Sequence, residues 1–200
     1  FSFTHPKLRQ YIYESQTEIK RRFIHNQIGD VIEKQLHDKP ADMDLYHRLI
    51  FHYMRGANKV KALDYSVKSL NRYLNYSHEL FPILASGDEA LFKDAYMSRK
   101  QTQAYLLEIE NLLKEVRQKE GQTRDVIIGE IAFLHMKGRY LIREGSYEEG
   151  TKYISEMISK SIEINDDDYA LEAYKQMIYY CIQISEADKI TDRVLRIACS

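Results

Sequence analysis

The spacing of apolar residues changes from strand-like to helical within the first dozen positions. Phe1 and Phe3 alternate with Ser2 and Thr4, which is the period-two pattern of a half-buried strand. Pro6 suits the first turn of a helix, where its missing N–H leaves no hydrogen bond unmade. The pattern therefore predicts a short strand followed by a helix. The apolar face of that helix consists of Leu8, Tyr11 and Ile12.

Three further helices are predicted between residues 15 and 74. The spelling SQTE at Ser15 to Glu18 is typical of a capping box, in which side chains bond the unpaired N–H groups that begin a helix. The spelling RGAN interrupts a later apolar repeat and predicts two antiparallel helices joined by a tight turn. The apolar residues of the first helix are Ile19, Phe23, Ile24, Ile28, Ile32 and Leu36. Those of the hairpin are Leu45, Leu49, Tyr53, Met54, Val60, Leu63, Val67, Leu70 and Leu74.

A long helix is predicted to end near Glu120. A short helix is expected around Pro82, and SGDE at Ser86 to Glu89 is a second capping-box spelling that opens the long helix. A narrow seam in this helix steps by four and three, through Thr102, Leu106, Ile109, Leu113 and Val116. The seam predicts packing against a neighbouring helix, and the alternative is a coiled-coil partner that would make the protein a homodimer.

The last third of the chain has the pattern of paired helices that cross closely. The polar stretch KEGQTRD predicts a linker before this region, and REGSYEEG predicts a turn between two helices. Gly138 and Gly150 supply positions without bulk where those helices meet, as in a tetratricopeptide-type hairpin. The pattern repeats weakly, with Ala187 and Ala62 in the place of Gly150.

These elements predict an all-α fold, a tetratricopeptide-like array of helical hairpins in an α-α superhelix, with a short strand at its start. Three prolines and eight glycines in 200 residues favour long helices. A single hairpin leaves an apolar face exposed, so the hairpins must stack. Because the chain begins within a predicted strand and DRVLRIACS keeps an apolar helical pattern to its end, we interpret it as a piece of a longer protein.

Composition and charge exclude several classes of protein. A hydrophobic content of 44% supports a sizeable core, and a net charge of -1 provides no general attraction to nucleic acid. One basic concentration contains Arg9, Lys20, Arg21 and Arg22, but acidic residues interleave with it. The two cysteines, Cys181 and Cys199, suit a reducing compartment, and no apolar run approaches the length of a membrane span. We therefore expect a cytoplasmic protein with no membrane segment and no nucleic-acid partner.

The stretch FSFTHPKLRQYIYES, followed by KRRFIHNQIGDVIE, resembles the join between the winged-helix domain and the helical sensor array of STAND signal-transduction NTPases. This family includes large ATP-binding LuxR-type activators and related modules fused to cyclases or kinases. The resemblance covers roughly the first 35 residues, with a looser likeness in the repeats. The residues that match its pattern are Phe1, Phe3, His5, Leu8, Arg9, Tyr13, Arg21, Arg22 and His25.

The resemblance implies a role for each part of the chain. Residues 1–40 correspond to the C-terminal part of a winged-helix-like domain, 41–120 to helical hairpins and the long helix, and 121–200 to tetratricopeptide-like repeats. His5 looks like the winged-helix histidine that contacts the β-phosphate of bound ADP, and an imidazole N–H can donate to such an oxygen. Arg9, Arg21, Arg22 and His25 mark the junction with the repeats. ATP or ADP would bind an upstream domain of the parent chain, because these residues contain no phosphate-binding loop.

Other candidate sites are weaker. The histidines have no spacing typical of a metal site, and NDDD at Asn165 to Asp168 predicts a solvated loop and helix N-cap rather than a calcium site. No arrangement of nucleophile and base indicates a catalytic centre. A candidate groove for a protein or peptide ligand is formed by tyrosines crowded in the last third: Tyr140, Tyr147, Tyr174, Tyr179 and Tyr180.

We therefore expect a non-catalytic sensor and scaffold segment of a multidomain signalling or transcription-regulatory ATPase. It would bind a protein or peptide ligand and contact the upstream nucleotide-binding domain of the same chain. One alternative is a stand-alone, pheromone-type peptide receptor built on tetratricopeptide repeats. A second alternative is an enzyme whose site the sequence does not reveal.

Overall fold

The computed structural model describes residues 6–37, 42–77 and 97–187, and within these ranges the protein is all-α. The helices are α1 (Pro6–Glu14), α2 (Glu18–Glu33), α3 (Met43–Arg55), α4 (Lys59–Ser77), α5 (Arg99–Glu120), α6 (Arg124–Arg143), α7 (Tyr147–Glu163) and α8 (Asp167–Ala187). The predicted N-terminal strand, the short helix around Pro82 and the capping box at Ser86 lie outside the described residues.

Two helix starts differ from the sequence prediction. The N-cap of α2 is Thr17, whose side chain accepts a hydrogen bond from the Lys20 N–H at 3.3 Å. The SQTE capping box starting at Ser15 is therefore wrong, because the Ser15 hydroxyl donates to the Ile12 carbonyl and closes α1. Helix α5 begins with a capping box that the sequence analysis missed, formed by Ser98 and Gln101.

The predicted seam of α5 is buried and packs within the chain. Its residues share one hydrophobic cluster with α4 and α6. That cluster includes Leu63, Val67 and Leu70 of α4 and Val126, Phe133 and Tyr140 of α6. The apolar repeat predicted for α4 is thus confirmed, and the cluster extends across the KEGQTRD stretch between α5 and α6.

Helices α6 and α7 cross so closely that glycine is required on both sides. A Cβ atom placed on Gly138 would lie 2.9 Å from the Gly150 carbonyl oxygen, and one on Gly150 would lie 2.8 Å from the Gly138 carbonyl oxygen. The predicted close crossing at these two glycines is confirmed. The NDDD stretch also forms a helix start as predicted, since the Asp166 side chain accepts from the Tyr169 N–H.

The apolar face predicted for α2 is wrong in its first half, whereas Ile32 is buried and Leu36 packs against the same cluster as predicted. The side of α2 that packs on α3 carries His25, Gly29 and Ile32, whereas Ile19 is 82% exposed and Phe23 59% exposed. The physical reason is steric, because a Cβ on Gly29 would lie 2.7 Å from the ring of the fully buried Tyr53. Only the face that contains this glycine lets α2 approach α3.

Every second helix from α2 onward contacts the next such helix through side chains. Glu33 of α2 binds Lys61 of α4, Arg143 of α6 donates to a carbonyl of α4, and His135 of α6 lies beside Glu172 of α8. We call α2, α4, α6 and α8 the inner row.

Candidate functional site

A chain of hydrogen-bonding rings joins the first three helices. His25 of α2 is 7% exposed, and its Nδ1 lies 2.9 Å from Nδ1 of His52 on α3. Its Nε2 lies 3.1 Å from the Tyr13 hydroxyl on α1. In either neutral tautomer, His25 can donate on one side and accept on the other. We call Tyr13, His25 and His52 the junction triad.

Aromatic and cationic side chains surround the junction triad. The guanidinium of Arg21 lies 5.5 Å from the centre of the Tyr13 ring, and Phe51 meets His25 edge-on at 5.9 Å between ring centres. Arg55 in turn lies over the Phe51 ring. Cations above aromatic faces are attracted by the negative charge of those faces. The arrangement holds the Tyr13 side chain of α1 against α2.

The junction triad contains neutral imidazoles near pH 7. Burial, followed by the charge of Arg55, holds the pKa of His25 below its ordinary value. Burial, the neighbouring His25 and Arg48 do the same for the pKa of His52. Protonation of both rings would place two N–H donors opposite each other and remove the hydrogen bond between them.

Replacing one histidine should change the titration of the other. In His25→Asn, we expect the pKa of His52 to rise towards 6.5, because the neighbouring imidazole no longer opposes its protonation. A histidine titration followed by NMR measures this shift. Gln27→Asn, on the same helix, is the matched control and should leave the titration unchanged. An unaltered pKa of His52 in His25→Asn would contradict the coupling.

Of the predicted junction residues, some contact Tyr13 in the structure and others do not. His25 and Arg21 both contact Tyr13, whereas Arg22 forms an ion pair with Glu18 on the exposed side of α2. His5 and the side chain of Arg9 lie outside the described part of the molecule. Tyr13, which matched the pattern of the resemblance, and His52, to which the sequence analysis gave no part, complete the site.

A second polar cluster joins α2, α3 and α4 at the inner row. The Lys61 ammonium donates to Glu33 at 2.8 Å, to Asp30 at 3.1 Å and to the Tyr53 hydroxyl at 3.1 Å. Tyr65 donates to Glu33 at 2.6 Å. Burial and the acceptor Asp30 outweigh the opposing effect of Lys61 and raise the pKa of Tyr53 to about 12. All these groups have partners, so the cluster is suited to fastening helices rather than to proton transfer.

Ionisable groups also meet where α4, α6 and α8 approach each other. His135 of α6 is 8% exposed, and its Nε2 lies 3.8 Å from a Glu172 oxygen on α8, too far for a hydrogen bond. Burial and Asp166 raise the pKa of Tyr169 on α8, and Asp64 of α4 raises it further.

The tyrosines of the predicted groove lie in different surroundings. Tyr140 is 2% exposed within the cluster shared by α4, α5 and α6. Tyr147 and Tyr180 pack against each other beside the α6–α7 core, with ring centres 5.5 Å apart. Tyr174 is 50% exposed on α8, and the side chain of Tyr179 lies outside the described residues. Tyr140 is therefore separated from the pair formed by Tyr147 and Tyr180.

The described residues also bear on metal binding and on membrane insertion. Among residues 6–37, 42–77 and 97–187, no three histidine, cysteine or carboxylate side chains are grouped as metal ligands. None of the helices in those ranges has both the length and the apolar character needed to cross a membrane.

The chain was compared with protein-family models, with curated proteins and with solved structures. No protein-family model matches the chain, and neither the curated proteins nor the solved structures contain a significant match.

Proposed function

We propose that this chain is a non-catalytic sensor and scaffold segment of a multidomain signalling ATPase, and that the junction triad links its helical array to an upstream domain. The observation that carries the proposal is the convergence of His25 and Arg21 on Tyr13. All three belong to the stretch that resembles the winged-helix junction of STAND NTPases. Packed side chains and hydrogen bonds of this kind can carry coupling between domains.

Exposed apolar side chains on α1 and α2 support the proposal that another domain contacts this end of the protein. Leu8 is 50% exposed and Tyr11 71% exposed on α1, and Val31 is 57% exposed on α2. Apolar surface of this extent is typical of contacts with another domain. In this proposal the upstream nucleotide-binding domain, which would hold ATP or ADP, lies against α1 and α2.

The inner row is the proposed surface for a protein or peptide ligand. It presents the Lys61 cluster at α2 and α4, and the groups around His135 at α6 and α8. A ligand that binds better to one arrangement of these helices than to another would favour that arrangement and so shift the helices relative to one another. His52 on α3 would pass that shift through His25 to Tyr13 and α1. The same surface would serve the alternative, a stand-alone peptide receptor, without any nucleotide.

The test uses the parent chain with its upstream domain. In Tyr13→Phe, which loses the hydroxyl near His25 but keeps the ring below Arg21, we expect the rate of ADP release to change several-fold. Fluorescent ADP displacement measures this rate. Tyr105→Phe, which loses a hydroxyl bonded to the Ser66 carbonyl on helices that do not take part in the junction, is the matched control and should release ADP as the wild type does.

A second variant examines the nucleotide contact itself. By the resemblance, His5→Ala should shorten ADP retention. If both Tyr13→Phe and His5→Ala release ADP at the wild-type rate, the signalling-ATPase proposal is wrong. The peptide receptor then becomes the better description.

A further inference from the structure

The buried imidazole of His135 has a ring nitrogen that makes no hydrogen bond. The residue is 8% exposed, and its Nε2 has no hydrogen-bond partner within the described residues. The Glu172 carboxylate of α8 lies 3.8 Å from Nε2, which is beyond hydrogen-bond distance. A buried polar atom without a partner costs free energy, and one explanation of such an atom is a bound group that supplies the missing partner.

Positive charges surround this imidazole. Arg139 and Arg143 follow His135 at intervals of four residues, which places the three side chains along one side of α6. Arg139 is 9% exposed, so most of its side chain is withdrawn from water. Both arginines, together with Lys175 of α8, oppose protonation of His135 and help to lower its pKa. These residues of α6 and α8 therefore create a positive potential beside an imidazole that lacks a partner.

The group that such surroundings favour is an anionic oxygen. Guanidinium groups bind carboxylates through paired N–H donors, and a neutral imidazole can add a further N–H. Glu172 shows that a carboxylate can approach this position from the side of α8. It does not fill the position, because Lys175 holds its carboxylate in an ion pair one turn further along α8.

The pair formed by Glu172 and Lys175 lies at the surface. The Glu172 side chain is 36% exposed and that of Lys175 51% exposed, whereas α8 packs in the α6–α7 core through other residues, such as Ala173. An exposed ion pair contributes little to stability, so Glu172 can turn away from His135 without disturbing that core. A ligand carboxylate can then reach Nε2.

We propose that His135, Arg139 and Arg143 bind a carboxylate of an acidic peptide ligand, which displaces Glu172 from the neighbourhood of Nε2. The proposal deepens the ligand surface of the inner row, and it rests on that proposed function for the choice of a peptide. The bound carboxylate accepts from the His135 Nε2–H and from the two guanidinium groups. Glu172 is then an internal competitor that limits the affinity.

The test uses this chain and a capped tetraglutamate peptide, with capped tetraglutamine as its neutral counterpart. The imidazole nitrogen resonances of His135 are followed by NMR and assigned by their absence in His135→Gln. We expect tetraglutamate to shift the Nε2 resonance, because a new acceptor bonds this atom, and tetraglutamine to leave it in place. Binding elsewhere on the surface does not move this resonance.

Two substitutions on α8 should change the affinity for tetraglutamate in opposite directions. Glu172→Gln removes the internal competitor and should bind the peptide several-fold more tightly. Lys175→Gln removes an attracting charge and leaves Glu172 free to approach His135, so it should bind several-fold more weakly. Glu156→Gln and Lys152→Gln, at exposed positions of α7, make the same changes in net charge and should bind as the wild type does.

The outcomes separate this inference from the proposed function. An unchanged His135 resonance at millimolar tetraglutamate, or equal affinities of Glu172→Gln and Glu156→Gln, overturns the inference. If inorganic phosphate shifts the resonance and tetraglutamate does not, the assignment to a carboxylate is wrong. No nucleotide takes part in these measurements, so a negative result here leaves the ADP-release test of the junction triad unaffected.

Discussion

Gly150→Ala should destabilise the protein by about 2 kcal/mol, even though alanine favours a helix more than glycine does. A methyl group at this position would lie 2.6 Å from a side-chain carbon of Ile142 and 2.8 Å from the Gly138 carbonyl oxygen. Since one of these contacts is backbone, a rotamer change cannot relieve it, and α6 and α7 must separate. The free energy of unfolding, measured by urea denaturation, reports the loss.

Gly129→Ala is the matched control for this substitution. It lies within α6, and its added methyl group would meet only the end of the Leu63 side chain at 3.1 Å. Both variants gain the same helix preference, about 1 kcal/mol at most, so the difference between them measures the crossing alone. If both variants are equally stable, the close approach of α6 and α7 is not needed for stability.

Acid should remove about 3 kcal/mol of stability between pH 6.5 and pH 4 through His135 alone. Burial, followed by the charge of Arg139, holds the pKa of His135 at about 4 in the folded protein. In the unfolded chain the pKa returns to 6.5, so the unfolded state takes up the proton first. The contribution is complete above pH 6.5 and is lost as the pH falls towards 4.

The charges that face His135 come from two helices. Glu172 of α8 favours protonation, whereas Lys175 of α8 and Arg143 of α6, like Arg139, oppose it. Because burial and these cations together outweigh the attraction of the single carboxylate, Glu172 does not restore an ordinary pKa.

Urea unfolding at a series of pH values measures the effect. His135→Gln should be less sensitive to acid over this range, since a neutral amide does not titrate. His37→Gln, at an exposed position, is the matched control and should keep the wild-type slope. The remaining slope of His135→Gln should come partly from His25 and His52, whose pKa values are also lowered. An identical pH profile for wild type and His135→Gln would contradict the burial of a neutral imidazole.

The sequence predicted those features that depend on neighbours within a few turns of chain. The α5 seam from Thr102 to Val116, the turn at RGAN and the close pair Gly138 and Gly150 were all evident from spacing. Each is a local regularity, since helical periodicity and the absence of a side chain can be recognised without knowing the fold. The capping box at Ser98 has the same character and could have been found from its serine and glutamine.

The face of α2 could not be predicted by the same means. Its aliphatic residues indicated one buried side, yet the helix packs through His25 and Gly29 together with Ile32, while Ile19 and Phe23 stay exposed. The deciding partner is Tyr53, more than twenty residues away, whose ring occupies the space above Gly29. The spacing of apolar residues shows which side of a helix can be buried. It does not show against which side another helix packs.

The sequence by itself determined that this protein is a set of long helices and where several of them turn or cross. Only the tertiary structure decided that Tyr13, His25 and His52 lie together, because their separation in the chain hides a contact that depends on how α1, α2 and α3 pack. The physical reason is that helix formation depends on local spacing and capping, whereas the chemistry of a junction depends on the shapes of surfaces that are distant in sequence.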